Sequence, residues 1–87
     1  MLLTVYPAYP SSMSTTSEQK LMKSFGMRVA AIRKSRGFTQ QELAENINMS
    51  VVAIAYIETG KRWARLGTLT KIANALNVDV ADLFKDI

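Results

Sequence analysis

Residues 39–60, TQQELAENINMSVVAIAYIETG, leave little freedom in how the chain can fold. Thr39 with Glu42 three positions later makes a capping box, so a helix opens with Thr39 as its N-cap. Leu43 and Ile47 then share its inward face, and Ala44 is small where a following helix must come close. Asn48, in the run Asn46-Ile47-Asn48-Met49, is one of the few non-glycine residues that tolerates positive φ. Ser50 caps a second short helix reaching about Glu58, with Ile54 and Ile57 inward, and Gly60 ends it. So short a gap between two helices makes an αα-corner rather than a long antiparallel hairpin.

The flanking segments are helical too. A first helix is expected from about Ser17, with Thr15 and Glu18 as a capping pair and Gly37 as the left-handed residue after its end. Its apolar stripe is Leu21, Phe25, Val29 and Ile32, widened by Met22, and its other face carries Lys20, Lys23, Arg28, Arg33, Lys34 and Arg36. A fourth helix covers residues 66–76, pointing Leu66, Leu69, Ile72, Ala73 and Leu76 inward. Its start is weak, because Arg65 and Gly67 supply no good cap, and Asn77 ends it in the left-handed region. Asp79 caps a short fifth helix through about Lys85 that presents Val80, Leu83 and Phe84. The fold class is all-α: a compact five-helix domain with no strand pattern and no internal repeat.

Residues 1–17 differ from the rest. They hold Pro7, Pro10 and the Ser/Thr-rich run of residues 11–17, so no helix passes through them. The expected division is a flexible tail or arm over 1–17 and a folded domain over 18–87. As an arm, Leu2, Leu3, Val5 and Tyr6 would lie on a partner subunit or pair as a short edge strand. MLLTVY lacks the basic flank and cleavage site of a signal peptide, and no run is apolar enough to span a bilayer, so a cytoplasmic location without membrane association is expected. At 87 residues the chain makes one small core, and dimerisation is a natural means of stabilising it.

The chain has no Cys and no His. Thiol and imidazole chemistry and ordinary structural zinc sites are thereby excluded, and no metal, cofactor or catalytic residue is expected. The acidic residues lie scattered over the expected helices, which argues against an enzyme. A formal net charge of +4 favours an acidic partner, in the cytosol usually nucleic acid.

Over residues 25–84 the sequence resembles the helix-turn-helix domain of the Cro and lambda-repressor type, the xenobiotic-response-element family. Three segments carry the resemblance: RVAAIRKSRGFTQQELAENINMS, the run Ile54-x-x-Ile57-Glu58-x-Gly60-Lys61-Arg62, and LTKIANALNVDVADLF. The family consists of five-helix, usually dimeric transcription regulators. Such a resemblance implies that the helix after Ser50 lies in the major groove of double-stranded DNA while the preceding helix crosses the backbone. It puts Val51, Val52, Ala55 and Tyr56 at base-reading positions. Gln40, at a helix N-terminus whose free N–H groups favour an anion, matches a phosphate-holding position, with Gln41 beside it. Ser50, Lys61 and Arg62 also fall at expected backbone contacts. Arg33 and Glu58 match a pair that bridges the first helix to the end of the third, and Arg33 is counted among the backbone contacts as well. Leu83, Phe84 and Ile87 are candidates for a homodimer interface.

This sequence departs from the family pattern in three places. Asn48 replaces the usual glycine, Trp63-Ala64 replaces the common Asn-Pro, and the reading face is apolar where Arg, Gln, Ser and Thr are frequent. The valine methyl groups have two readings: contact with thymine C5-methyl groups, or contact with protein. The expected function is that of a sequence-specific regulator binding a palindromic operator as a homodimer, in the manner of phage repressors or restriction–modification controllers. The alternative is a protein-interaction module, such as an antitoxin-like subunit, that uses the apolar face of the third helix.

Overall fold

The computed structural model of the protein describes residues 16–87. Expectations for residues 1–15 of the tail or arm, and for Thr15 as a cap, lie outside the described residues, whereas residues 16 and 17, expected in the tail, belong to the first helix. In order come α1 (Thr16–Ser35), α2 (Gln40–Asn46), α3 (Val51–Glu58), α4 (Leu66–Leu76) and a short 3-10 helix (Val80–Phe84). The fifth element is therefore not an α-helix. With only five residues it closes on i→i+3 bonds, from Asp82 N–H to the Asp79 carbonyl (2.9 Å) and from Lys85 N–H to the Asp82 carbonyl (3.4 Å). The Asp82 carboxylate reaches back to accept from the Asp79 N–H at 3.0 Å, which fixes its start.

All four α-helices end in the same way. Gly37 (φ 82°), Asn48 (φ 57°), Gly60 (φ 76°) and Asn77 (φ 60°) adopt the left-handed conformation just past α1, α2, α3 and α4. In each case the next N–H bonds back to a carbonyl of the last helical turn. The pairs are Phe38 to Arg33 (3.1 Å), Met49 to Ala44 (2.9 Å), Lys61 to Tyr56 (2.8 Å) and Val78 to Ala73 (2.9 Å). This hydrogen-bond pattern satisfies the free carbonyls of the last turn and turns the chain sharply.

The turns fold the helices around one core. Phe25, Val29 and Ile32 of α1 meet Leu43, Ala44 and Ile47, then Ile54 and Ile57, then Leu69, Ile72, Ala73 and Leu76, with Leu83 closing the bottom. Each large aliphatic or aromatic side chain removed from water here contributes about 1.5–3 kcal/mol. Two expected core positions lie outside. Leu21 is 44% exposed, because the 20-residue α1 overhangs the core at its N-terminal end, where residues 17–21 are all exposed. Leu66 is 74% exposed: Trp63 and Ala64 pack against the core just before it, and Leu66 stands beyond them at the uncapped first position of α4.

Gly26 sets how closely α1 approaches α3. A Cβ at this position would sit on the Ile57 and Glu58 carbonyls, 2.7 Å from the Glu58 carbonyl carbon. Only glycine lets the two backbones come this near.

Candidate nucleic-acid interface

The site is organised by the two caps that open α2 and α3. Thr39 Oγ1 accepts from the Glu42 N–H at 3.0 Å, while the Glu42 carboxylate accepts from the Thr39 N–H at 2.9 Å. Ser50 Oγ accepts from the Ala53 N–H at 3.1 Å. The hydroxyl of Ser50 thus already serves the helix. Between the caps, the Asn48 turn places the two helices against each other.

α3 divides sharply. Ile54, Ile57 and Glu58 are buried, while Val51, Val52 and Tyr56 are 41%, 55% and 40% exposed and Ala55 is half-buried. All four expected reading positions therefore avoid the core, and they form an outward strip that is apolar apart from the Tyr56 hydroxyl.

The inner end of α3 carries a charged network. The Arg33 Nε donates to Glu58 Oε2 at 2.7 Å and Nη2 to Oε1 at 3.0 Å, a bidentate pair, while Nη1 donates to the Phe38 carbonyl at 2.7 Å. Arg33 retains only 6% of its surface and Glu58 only 7%. This corrects two expectations. Arg33 is not on the solvated face of α1, and its guanidinium is buried against Glu58 and the Phe38 carbonyl, which removes it from the surface where a backbone contact was expected. Its match to the bridging pair does hold. No buried side-chain nitrogen or oxygen among the described residues lacks a hydrogen-bond partner.

Gln40 joins this network. Its half-buried amide donates from Nε2 to Glu58 Oε1 at 2.9 Å, so the N-terminus of α2 is tied to the C-terminal end of α3. The sequence carries no periodic signal for this link, because the partners are 18 positions apart on different helices. Gln41 is exposed and donates to the Glu45 carboxylate one turn on at 3.4 Å.

Lys61 and Arg62 are exposed beyond the Gly60 turn. The Arg62 guanidinium carbon lies 5.3 Å from the centre of the Tyr56 ring, a cation–π contact that the sequence reading missed. Trp63 is half-buried and packs against the core, with its ring centre 5.3 Å from that of Phe25.

The proposed dimer residues separate. Leu83 has no exposed surface and belongs to the core, so it is withdrawn as an interface residue. Phe84 stacks on Phe25 at 4.9 Å yet remains 39% exposed, and Ile87 is 37% exposed. Among the described residues, no helix is long and apolar enough to cross a membrane.

Residues 29–83 match the model of the helix-turn-helix family. The chain is 43% identical over 56 residues to the immunity repressor protein of Bacillus phage phi105, an alignment covering 64% of this chain and 39% of that protein. It is 36% identical over 61 residues to an SPbeta prophage-derived uncharacterized HTH-type transcriptional regulator, YonR, from Bacillus subtilis, covering 70% of this chain and 56% of that one. The chain thus spans between two fifths and three fifths of the length of these relatives. Among solved structures, the restriction-modification controller protein C.AhdI from Aeromonas hydrophila superposes with a TM-score of 0.74 at 27% identity, covering 77% of this chain and 97% of that one.

Proposed function

This chain belongs to the helix-turn-helix family of the Cro and lambda-repressor type, and from that premise we propose that it is a DNA-binding transcriptional regulator acting as a homodimer on a palindromic operator. One observation carries the reading: α3 presents Val51, Val52, Ala55 and Tyr56 outward while its other side is locked into the core. A helix held this way can enter a major groove without rearranging the protein.

Backbone contacts would come from Gln40, from the N-terminus of α3 at Ser50, and from Lys61 and Arg62, with Gln41 beside them. These contacts supply most of the affinity, and each phosphate neutralised adds to its salt dependence. Selectivity then rests on apolar contacts between the valines and thymine methyl groups, and on the shape of the duplex. The exposed apolar surfaces of Phe84 and Ile87 support a two-fold contact between copies.

The test is selection of bound duplexes from a random pool. Recovery of an inverted repeat is expected, together with weaker binding by Gln40→Ala and Arg62→Ala and a shallower salt slope for Arg62→Ala. Recovery of no preferred sequence, with both variants binding as the parent does, would favour a protein partner for the exposed Val51–Val52 surface instead.

A further inference from the structure

We propose that Tyr56 is a positioning residue for Arg62, its ring holding the guanidinium as a fixed phosphate-contacting cation at the C-terminal end of the outward face of α3. This rests on the DNA-binding reading above.

The backbone brings the two side chains together. Gly60, at φ 76°, reverses the chain after α3, and the Lys61 N–H donates to the Tyr56 carbonyl at 2.8 Å. That bond closes the helix end, and it also returns the following residue to the turn of α3 that carries Tyr56. On its other side Arg62 is followed by Trp63, seated 5.3 Å from Phe25. Arg62 is thus an exposed residue between two anchored neighbours, with its guanidinium carbon 5.3 Å from the centre of the Tyr56 ring.

This arrangement addresses the main weakness of a surface arginine as a ligand. A free arginine side chain carries about 2 kcal/mol of rotamer entropy, part of which is lost whenever it is fixed on a partner. A side chain already resting on a ring has lost part of that freedom before the partner arrives. The ring also holds the cation without cancelling its charge, as a carboxylate would. A cation–π contact is not a hydrogen bond to an acceptor, so it does not use up the guanidinium N–H donors that phosphate oxygens would take.

The contrast with direct base reading by Tyr56 is testable, because the two roles use different atoms. Positioning needs the ring, whereas base or phosphate contact by Tyr56 itself needs the hydroxyl. Binding of a fluorescein-labelled mixed-sequence duplex by the full chain is measured across a salt series for the parent, Arg62→Ala, Tyr56→Leu, Tyr56→Phe and the Tyr56→Leu/Arg62→Ala double variant. Circular dichroism checks that each is folded.

Arg62→Ala should make the salt slope shallower by about one phosphate contact. Tyr56→Leu, which removes no charge, should weaken binding about threefold to tenfold and also make the slope shallower. Tyr56→Phe should keep the parent slope, whatever the hydroxyl adds to affinity. The double variant should bind within about twofold of Arg62→Ala, since the ring has nothing left to position. In the free protein, the ring-current shift on the Arg62 δ-methylene protons should persist in Tyr56→Phe and vanish in Tyr56→Leu. A parent slope in Tyr56→Leu overturns the proposal, as does a Tyr56→Phe slope as shallow as that of Tyr56→Leu. If the parent itself shows no salt-dependent binding, the DNA-binding reading fails first.

Discussion

Arg33 and Arg62 both attach to α3, from opposite sides and by different means. Arg33 reaches its inner end and forms a buried bidentate pair with Glu58; Arg62 lies outside, over the ring of Tyr56. The first is committed to the fold and is buried away from any ligand. The second keeps its charge exposed and contributes little to holding the helices together. In the sequence both are basic residues close to a helix end, and only the family resemblance sets Arg33 apart as the partner of Glu58. What separates them is the partner: a buried carboxylate consumes a guanidinium, whereas an aromatic surface only orients it.

The largest test of this contrast is Glu58→Ala. It strands the Arg33 cation in the interior and leaves Gln40 without its partner, so a loss of about 3–5 kcal/mol is expected in urea unfolding. An apolar pair, Arg33→Met with Glu58→Leu, should recover most of that loss. A Glu58→Ala loss under about 1 kcal/mol would break the comparison, since Arg33 would then behave as the surface cation that Arg62 is.

Next in size is Gly26→Ala, which probes the closeness of α1 to the inner end of α3. Alanine favours a helix over glycine by about 1 kcal/mol, but its methyl group meets the Ile57 and Glu58 backbone, which cannot step aside as a flexible side chain would. A net loss of about 1–3 kcal/mol in the melting or urea transition is expected. Net stabilisation would mean that α1 and α3 stand farther apart than described.

The smallest effect belongs to the Lys85–Asp82 pair at 3.2 Å, a more accessible counterpart of Arg33–Glu58. The Asp79 backbone N–H, and then the Lys85 ammonium, hold the Asp82 carboxyl below the ordinary aspartate range. Its pKa is lower folded than unfolded, so its contribution is present above the unfolded value. That contribution is lost as pH falls through the folded value, on the acid side of about pH 4. Asp82→Asn should therefore be slightly less stable than the parent at neutral pH, with the two unfolding curves converging in acid. Curves that stay parallel at all pH values would assign the loss to packing.

Local chemistry explains which of these features the sequence made legible. Thr39 with Glu42, Ser50, Gly37, Asn48, Gly60 and Asn77 act within a few residues of themselves, so caps and turns could be read directly. The inward faces of α2 and α3 followed from helical spacing. The errors came where a neighbouring segment decides. Leu21 and Leu66 lie on the right stripes, but one is on an overhang and the other stands at the uncapped start of α4. The family resemblance pairs Arg33 with Glu58, but nothing in its spacing shows how deep that pair lies. Leu83 lies on the same short helix as Phe84, and only the packed structure shows that the core takes it. The Gln40–Glu58 and Tyr56–Arg62 contacts depend on how helix ends meet in space, for which a single sequence has no periodic signature.

The division of α3 into an anchored side and an open side bears on how such a protein could change its target. Val51, Val52 and Tyr56 hold no part of the core together, so exchanging them costs the fold little, within about 0.5 kcal/mol for typical surface substitutions. If α3 reads DNA as proposed, target preference could therefore be rewritten by drift or by design, one exposed residue at a time, through intermediates that all remain folded.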